Sequence, residues 1–182
     1  MQHKTEDELA EGLAEVQRSP SSVGVVELIV RRPALGEREI LHVAELNIAE
    51  GVSGDTWNQR SSKRTDDGSP HPNMQLNVIN SRVSRLLGDD DATRALAGDQ
   101  LHVDLDLSGA NLPAGTRLAL GSAIIEVTDE PHTGCAKFTQ RFGLDAHRWV
   151  NSPEGRQLNL RGINARVVQA GTVASGTEIR KL

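Results

Sequence analysis

The chain has 182 residues, of which 25 are acidic and 20 are basic, so its net charge is −5. This length suits one domain with a hydrophobic core, and we expect a single domain rather than two small ones. The acidic charge, with only two Trp, two Phe and no Tyr, argues against a nucleic-acid partner, because single strands bind on aromatic stacking surfaces. No apolar run reaches the roughly 20 residues that span a bilayer, so no membrane partner is expected.

The cysteine content predicts the cellular compartment. One cysteine cannot form an internal disulfide framework, and the first residues of the sequence lack the apolar region of a secretory signal. We therefore expect a cytoplasmic protein in a reducing environment.

Residues 1–22 have a different pattern from the rest of the chain. Leu9, Leu13 and Val16 recur at helical spacing among acidic residues, and a Ser-Pro-Ser-Ser run ends the pattern. This predicts a helical N-terminal extension on a domain at residues 23–182. Its narrow apolar stripe either packs on that domain, joins two copies in a homodimer, or belongs to a solvated helix.

From residue 23 onward, short runs rich in Val, Ile and Leu are bounded by Gly or Pro, as is typical of β proteins. Strands are predicted at residues 25–30, 39–44, 75–79, 100–106, 117–120, 123–128, 163–169 and 177–181. Helical patterns are brief and predict helices at residues 81–87, 89–97 and 144–150. Many short strands with few helices favour a mainly β fold with short helices (β or α+β), arranged as a β-barrel.

Residues 58–72 form a long stretch without an apolar anchor. Ser, Lys, Arg, Asp, Gly and Pro crowd together there. Such a composition cannot bury enough apolar surface to offset the entropy of ordering, so we expect this stretch to be mobile.

A glycine-containing turn follows the second predicted strand. Gly51 and Gly54 both tolerate positive φ angles and allow a ligand to approach the backbone closely. Asp55 would then project from a tight turn as a binding residue. The alternative is an ordinary turn between strands in which Asp55 caps the backbone.

Polar amides alternate along the next predicted strand, at Asn73, Gln75 and Asn77. Side chains two residues apart share one face of a strand, so these three amides are expected to point the same way. Amides donate and accept hydrogen bonds without charge, which suits the edge of a heterocycle. The alternative is the solvent-facing side of a strand.

The only cysteine, Cys135, lies in the segment PHTGCAKF at residues 131–138. The thiolate is the form that acts as a nucleophile or metal ligand, and positive charge on Lys137, Arg141 and His132 would favour it. His132 is the one local candidate for a catalytic base. The alternative is a buried cysteine that only packs in the core.

Other common ligand-binding motifs do not occur in the sequence. The six histidines do not cluster with the cysteine at the spacing of a structural zinc site. Neither a Walker loop for phosphate nor a GxGxxG dinucleotide motif is found. Cys135 and its neighbours are therefore the main indication of chemistry.

Several segments of residues 23–182 occur in an informative order. They are GVSGD at 51–55, LNVI at 76–79, AGDQL at 97–101, LPAGTRL at 112–118, IIEVT at 124–128, the cysteine at 135, and GINARVVQAGTV at 162–173. Their ordered combination resembles the MOSC domain family, the C-terminal module of molybdenum cofactor sulfurases, which also occurs in amidoxime-reducing enzymes and as small stand-alone proteins. The resemblance implies a small stand-alone member with a compact, β-barrel-like MOSC fold and an added N-terminal helix.

In this family the matching cysteine is taken either to carry sulfur as a persulfide or to ligate molybdenum in a pterin-bound cofactor. The resemblance thus implies that Cys135 is both a catalytic residue and the metal ligand, with His132 and Lys137 as catalytic neighbours. The cofactor-binding residues that it implies are Arg141, Asp55, Asn77, Asp99, Arg166 and Thr133. Lys137 and Arg141 would either favour the thiolate or hold the cofactor phosphate.

Several functions are open at this point. The resemblance implies either a molybdenum-cofactor-dependent oxidoreductase or a sulfurtransferase, with a cysteine desulfurase or a molybdoenzyme as partner. The alternative is a non-catalytic barrel that binds a small anionic ligand or a protein partner, with Cys135 merely packed. Pyridoxal phosphate belongs to a separate domain of the full sulfurases, so none is expected in this chain.

Overall fold

The computed structural model describes residues 3–182, so the first two residues of the expected N-terminal extension lie outside the described part. The helices are α1 (Glu6–Val16), α2 (Ser81–Leu87), α3 (Asp91–Ala95), α4 (Ala136–Asn151) and α5 (Pro153–Gln157). The strands are β1 (Val23–Arg31), β2 (Glu39–Leu41), β3 (Val43–Asn47), β4 (Gly51–Val52), β5 (Leu76–Asn80), β6 (Leu101–Asp104), β7 (Arg117–Leu120), β8 (Ala123–Val127), β9 (Ile163–Gln169), β10 (Gly171–Ala174) and β11 (Glu178–Lys181). None of the helices in residues 3–182 has the length and hydropathy of a transmembrane segment.

Seven strands close into a barrel. Their order is β1-β11-β7-β8-β9-β5-β6, and β6 pairs with β1 to complete the ring. Neighbouring strands are antiparallel except for β5 and β6, which run parallel. β2 extends the sheet beside β1, and β10, β3 and β4 form a separate small sheet. The predicted mainly β barrel with short helices and an added N-terminal helix is confirmed.

The barrel core follows from the alternation of side chains along its strands. In β8, Ala123, Ile125 and Val127 are buried, whereas Ile124 and Glu126 between them are partly exposed. Successive side chains of a strand point to opposite faces, so one set fills the barrel and the other lies outside it. Each fully buried aliphatic side chain contributes about 1.5–3 kcal/mol, which makes this interior the main source of stability.

The N-terminal helix α1 packs on the barrel domain. Leu9 is fully buried and Val16 is 7% exposed. Both belong to an apolar cluster that includes Val83 of α2 and Phe142 of α4. Of the three alternatives for the apolar stripe, packing on the domain is therefore the one observed.

Besides β4, β10 and α5, which were not predicted, two elements differ clearly from the prediction. The run at residues 39–44 forms two strands, β2 and β3, because the chain turns at His42 and passes from the large sheet to the small one. Helix α4 begins at Ala136, well before the predicted start at residue 144. Its helical dihedrals are interrupted at Gly143, where φ is 88° and ψ is 170°. A glycine in this conformation interrupts the helical periodicity, so the sequence pattern predicted only the segment of the helix after Gly143.

Residues 58–72 run along the surface between β4 and β5. A 3-10 turn lies at each end, at Trp57–Gln59 and Pro72–Met74. Between them, Arg64 forms an ion pair with Glu130, which lies on the loop before α4. The mobility of this stretch stays a prediction.

Candidate functional site

A cleft of about 500 Å³ opens between one end of the barrel and the first turn of α4. Its walls come from the end of β1, the start of β5, the loop before β6 and Arg161, which closely precedes β9. Six basic side chains line it, and none of the described acidic residues does. The six are Arg32, Arg38, Arg60, Lys137, Arg141 and Arg161.

Arg32 is neutralised by Asp55 in a buried ion pair. The Nε and Nη2 atoms of Arg32 each donate to a carboxylate oxygen of Asp55 at 2.8 Å, and the two side chains are 4% and 0% exposed. Asp55 also accepts a hydrogen bond from the backbone N–H of Trp57 at 2.9 Å. Gly54 adopts a φ of 77°, which allows the tight turn that brings Asp55 to this position. Asp55 therefore braces Arg32 from behind the cleft.

Arg161 is neutralised in the same way by Asp99. Nη1 of Arg161 lies 2.9 and 2.7 Å from the two oxygens of Asp99, and its guanidinium stacks 5.0 Å from the ring centre of Phe138. Burial raises the pKa of Asp99, and Arg161 opposes that rise. On the other side of Asp99, Nδ1 of His132 lies 3.5 Å from the carboxylate. Burial, followed by repulsion from Arg161, lowers the pKa of His132 well below its ordinary value, so this imidazole is neutral.

The other four basic side chains form no ion pair within the described part of the chain. They are Arg38, Arg60, Lys137 and Arg141. Burial, and then repulsion from Arg141 and neighbouring arginines, lowers the pKa of Arg38 to about 10. Nε of Arg38 is buried and finds no hydrogen-bond partner among residues 3–182. An unsatisfied donor among like charges costs free energy, so this part of the cleft favours an anionic ligand.

Cys135 lines the cleft and is exposed to solvent. It is the N-cap residue of α4, and its side chain does not cap that helix. The residue before it is held in place: the Gly134 N–H donates to Oδ1 of Asn151 at 3.0 Å, and the Gly134 carbonyl accepts from Nδ2 of Asn151 at 3.2 Å. The thiol is therefore accessible while its backbone is fixed, which differs from the alternative of a cysteine packed in the core.

The structure brings four of the predicted site residues together in the cleft: Cys135, Lys137, Arg141 and Asn77. Asn77 accepts a hydrogen bond from Nη1 of Arg32 at 3.1 Å. Arg141 donates to the backbone carbonyl of Leu96 at 2.7 Å, which directs its guanidinium across the cleft wall. Two further predicted residues, Asp55 and Asp99, lie directly behind the wall and hold lining arginines.

Three predicted site residues are not brought into the cleft. His132 lines a separate cavity of about 420 Å³ behind Asp99. Thr133 is half-buried in the same loop and does not contribute to the cleft wall. Arg166 lies on the outer face of β9, where its Nη2 is 2.7 Å from Glu126.

The prediction that three amides share one face of a strand is wrong. β5 begins only at Leu76, and Gln75 has the helical dihedrals of the preceding 3-10 turn (φ −64°, ψ −45°). Gln75 is buried and donates from Nε2 to the Ile48 carbonyl at 2.7 Å. Asn77 is thus the one amide of the three that reaches the cleft.

Sequence reasoning missed four arginines of the cleft: Arg32, Arg38, Arg60 and Arg161. They are far apart in the sequence, and no spacing rule links them. One signal was available, because Arg32 directly follows β1 and Arg161 closely precedes β9. Polar residues at strand ends gather at the rims of a barrel, where ligand sites form.

The side chains of the cleft limit how a metal could be bound there. Among residues 3–182, no group of three or more His, Cys, Asp or Glu side chains could hold a metal ion. A metal in the cleft would have Cys135 as its protein ligand and would take its other donors from a cofactor. A thiolate is a soft donor, which suits a metal that already has sulfur ligands.

Comparisons with known proteins agree with this architecture. A sequence model of the MOSC domain matches residues 75–180, which is more than half of the chain. The YuaD protein from Bacillus subtilis superposes with a TM-score of 0.60 and 15% identity, over 86% of this chain and 94% of that one. YiiM from Escherichia coli superposes with a TM-score of 0.55 and 16% identity, over 87% of this chain and 69% of that one. At these identities the structural matches show the fold alone, and no curated protein matches the sequence.

Proposed function

Because the chain belongs to the MOSC domain family, we propose that its cleft binds a molybdenum–pterin cofactor through the cofactor phosphate and offers Cys135 to the metal. One observation carries the proposal: the only cysteine of the chain lines the same cleft as six basic side chains. A volume of about 500 Å³ is within the range of small-molecule sites, which is roughly 300–1,000 Å³.

The charges of the cleft support an anionic ligand. Asp55 and Asp99 neutralise two of the six basic side chains, which leaves four positive charges in a protein whose net charge is −5. A phosphate monoester carries up to about two negative charges and accepts several charge-assisted hydrogen bonds. The unpartnered Nε of Arg38 offers one such donor, and Lys137 and Arg141 offer others.

The thiol and the amide have separate tasks in this proposal. Cys135 would ligate the metal as a thiolate, at a backbone position that Asn151 holds through Gly134. Asn77 is fixed by Arg32 at the boundary of the cleft and would orient a bound molecule by hydrogen bonding. When bound, the cofactor supplies a metal centre for oxo transfer.

A second candidate function is sulfur transfer, which the exposure of Cys135 favours. An accessible thiolate can attack the outer sulfur of a persulfide on a cysteine desulfurase. The new S–S bond forms on Cys135, the desulfurase cysteine leaves as a thiolate, and no external oxidant is needed. In this version the basic side chains would attract the anionic acceptor of the sulfur.

The test is the molybdenum and pterin content of protein purified from a host that makes the cofactor. We expect near-stoichiometric metal and pterin in the wild type, loss of metal in Cys135→Ser, and loss of both in Arg38→Gln. Arg166→Gln is the matched control, because it removes one arginine charge outside the cleft. A wild type with neither metal nor pterin refutes cofactor binding. A persulfide on Cys135 in that protein, detected by intact mass after reaction with a desulfurase, would then support the sulfur carrier.

A further inference from the structure

A second, smaller compartment adjoins the cleft. Its volume is about 180 Å³, and it shares Arg32, Arg60, Ser61 and Asn77 with the cleft. These four residues form the boundary between the two spaces. A molecule in the smaller compartment therefore faces the cleft that contains Cys135.

The unshared walls of this compartment are largely apolar. Trp57, Pro70 and Met74 line it, each half-buried. The main-chain N–H of Trp57 donates to Oδ1 of Asp55 at 2.9 Å, which fixes the backbone from which the indole projects. A flat aromatic wall next to a polarisable thioether favours a planar ring, through stacking and sulfur–aromatic contacts.

The size of the compartment limits what can enter. An apolar cavity of about 150 Å³ accommodates one benzene molecule. The compartment, at about 180 Å³, therefore accommodates one six-membered ring with a small substituent. A fused ring system would have to extend into the cleft.

The polar groups of the compartment determine the charge of the substituent. Arg60 has no carboxylate partner in the described structure, and its Nη2 donates only to Oγ1 of Thr56, at 3.1 Å. Two carboxylates approach the compartment wall, and both are engaged: Asp55 pairs with Arg32, and Glu130 is held by His71 at 3.5 Å and by Arg64. Nδ1 of His71 is buried and lacks a hydrogen-bond partner within residues 3–182. The boundary is thus positively charged and favours an anion over a cation.

We propose that this compartment, which we call the ring compartment, binds a small aromatic oxyanion, with the ring against Trp57 and the anionic oxygen between Arg60 and Asn77. This inference names a substrate class for the cleft. It rests on the proposed function only in treating the bound molecule as a substrate. The oxyanion at the boundary is the part of the ligand that faces the cofactor cleft. A cationic ring of the same shape is repelled by Arg60, which has no carboxylate partner among residues 3–182.

The test uses the two tryptophans as separate reporters. Trp57 lines the ring compartment, whereas Trp149 packs in the apolar cluster of α4. In a ¹⁵N–¹H spectrum of the full chain, benzoate is expected to shift the indole signal of Trp57 and leave that of Trp149 in place. Benzamidine has the same ring with the opposite charge, and it is expected to shift neither signal. Cyclohexanecarboxylate, with the same charge and no planar ring, is expected to bind several-fold more weakly.

Variants test the predicted contacts. Arg60→Gln is expected to weaken benzoate binding about tenfold, the loss of one hydrogen bond to a charged group. Lys63→Gln is the matched control, because Lys63 lies on the same segment, is exposed and does not line the compartment. The unchanged Trp149 signal shows that each variant is folded.

Two results would overturn the proposal: a Trp57 signal that benzoate does not shift at millimolar concentration, or equal shifts with benzamidine and benzoate. Cys135→Ser separates this inference from the proposed function. Benzoate binding is expected to survive that substitution, whereas metal content is expected to be lost. If the wild type contains no cofactor and benzoate still shifts Trp57, the ring compartment stands and the cofactor proposal fails.

Discussion

Replacing His102 by leucine is expected to make the stability of the protein less sensitive to acid. His102 lies on β6, between Leu28 of β1 and Ile79 of β5, and is fully buried. Both ring nitrogens are buried and lack hydrogen-bond partners in the described residues. Burial, and then repulsion from Arg94 and Arg161, lowers the pKa of His102 from 6.5 to about 3.

The size of this change in the free energy of unfolding follows from the difference in proton binding between the unfolded and the folded state. The unfolded chain protonates this histidine near its ordinary pKa of about 6.5, whereas the folded protein does so only near a pKa of about 3. Between these values the unfolded state binds more protons, so the free energy of unfolding decreases as the pH falls. The slope approaches about 1.4 kcal/mol per pH unit, which amounts to about 2 kcal/mol between about pH 7 and about pH 5.

The assay is urea denaturation at these two pH values for the wild type and for His102→Leu. The wild type is expected to lose about 2 kcal/mol more than the variant on acidification. The buried His132 changes stability in the same direction in both proteins, so the comparison isolates the contribution of His102. His42→Gln, at an exposed position, is expected to behave as the wild type. Equal acid sensitivity in the wild type and His102→Leu would refute the reasoning.

Three further outcomes are expected. Asp55→Asn leaves Arg32 buried without its counter-charge and should reduce the free energy of unfolding by about 3–5 kcal/mol, measured with urea; a loss below about 1 kcal/mol contradicts the bracing role. Cys135 should react with iodoacetamide in the native protein, as followed by intact mass, and labelling that requires denaturant contradicts its exposure. Gly162→Ala should lower the melting temperature, because φ is 107° and the new Cβ would lie 2.3 Å from the Val78 carbonyl oxygen; an unchanged melting temperature contradicts this close approach.

Strand prediction succeeded where one face of a strand is buried. The predicted strands at residues 117–120 and 163–169 coincide with β7 and β9. A glycine bounds each strand, Gly121 after β7 and Gly162 before β9, and the barrel interior takes the buried side chains. Prediction was less accurate at His42 and Gly143, where the chain changes sheet or breaks a helix for tertiary reasons.

The candidate site could be predicted only in part. Cys135, Lys137 and Arg141 lie close together in the sequence, and α4 keeps them together in the cleft. Arg166 is on the same chain segment as other family motifs, but the alternation of β9 turns it to the outer face, where it pairs with Glu126. Local sequence therefore identified the thiol and its neighbours, and it did not identify the four other arginines that line the cleft.

The sequence by itself determined the mainly β character, the family resemblance and the cysteine with its basic neighbours, because these depend on periodicity and on residues near one another in the chain. Only the tertiary structure decided which charges remain unpaired. Arg32 and Arg161 form ion pairs with buried aspartates, whereas Arg38 and Arg60 form no ion pair among residues 3–182. Pairing depends on distances of a few ångströms between residues far apart in sequence, and closure of the barrel sets those distances.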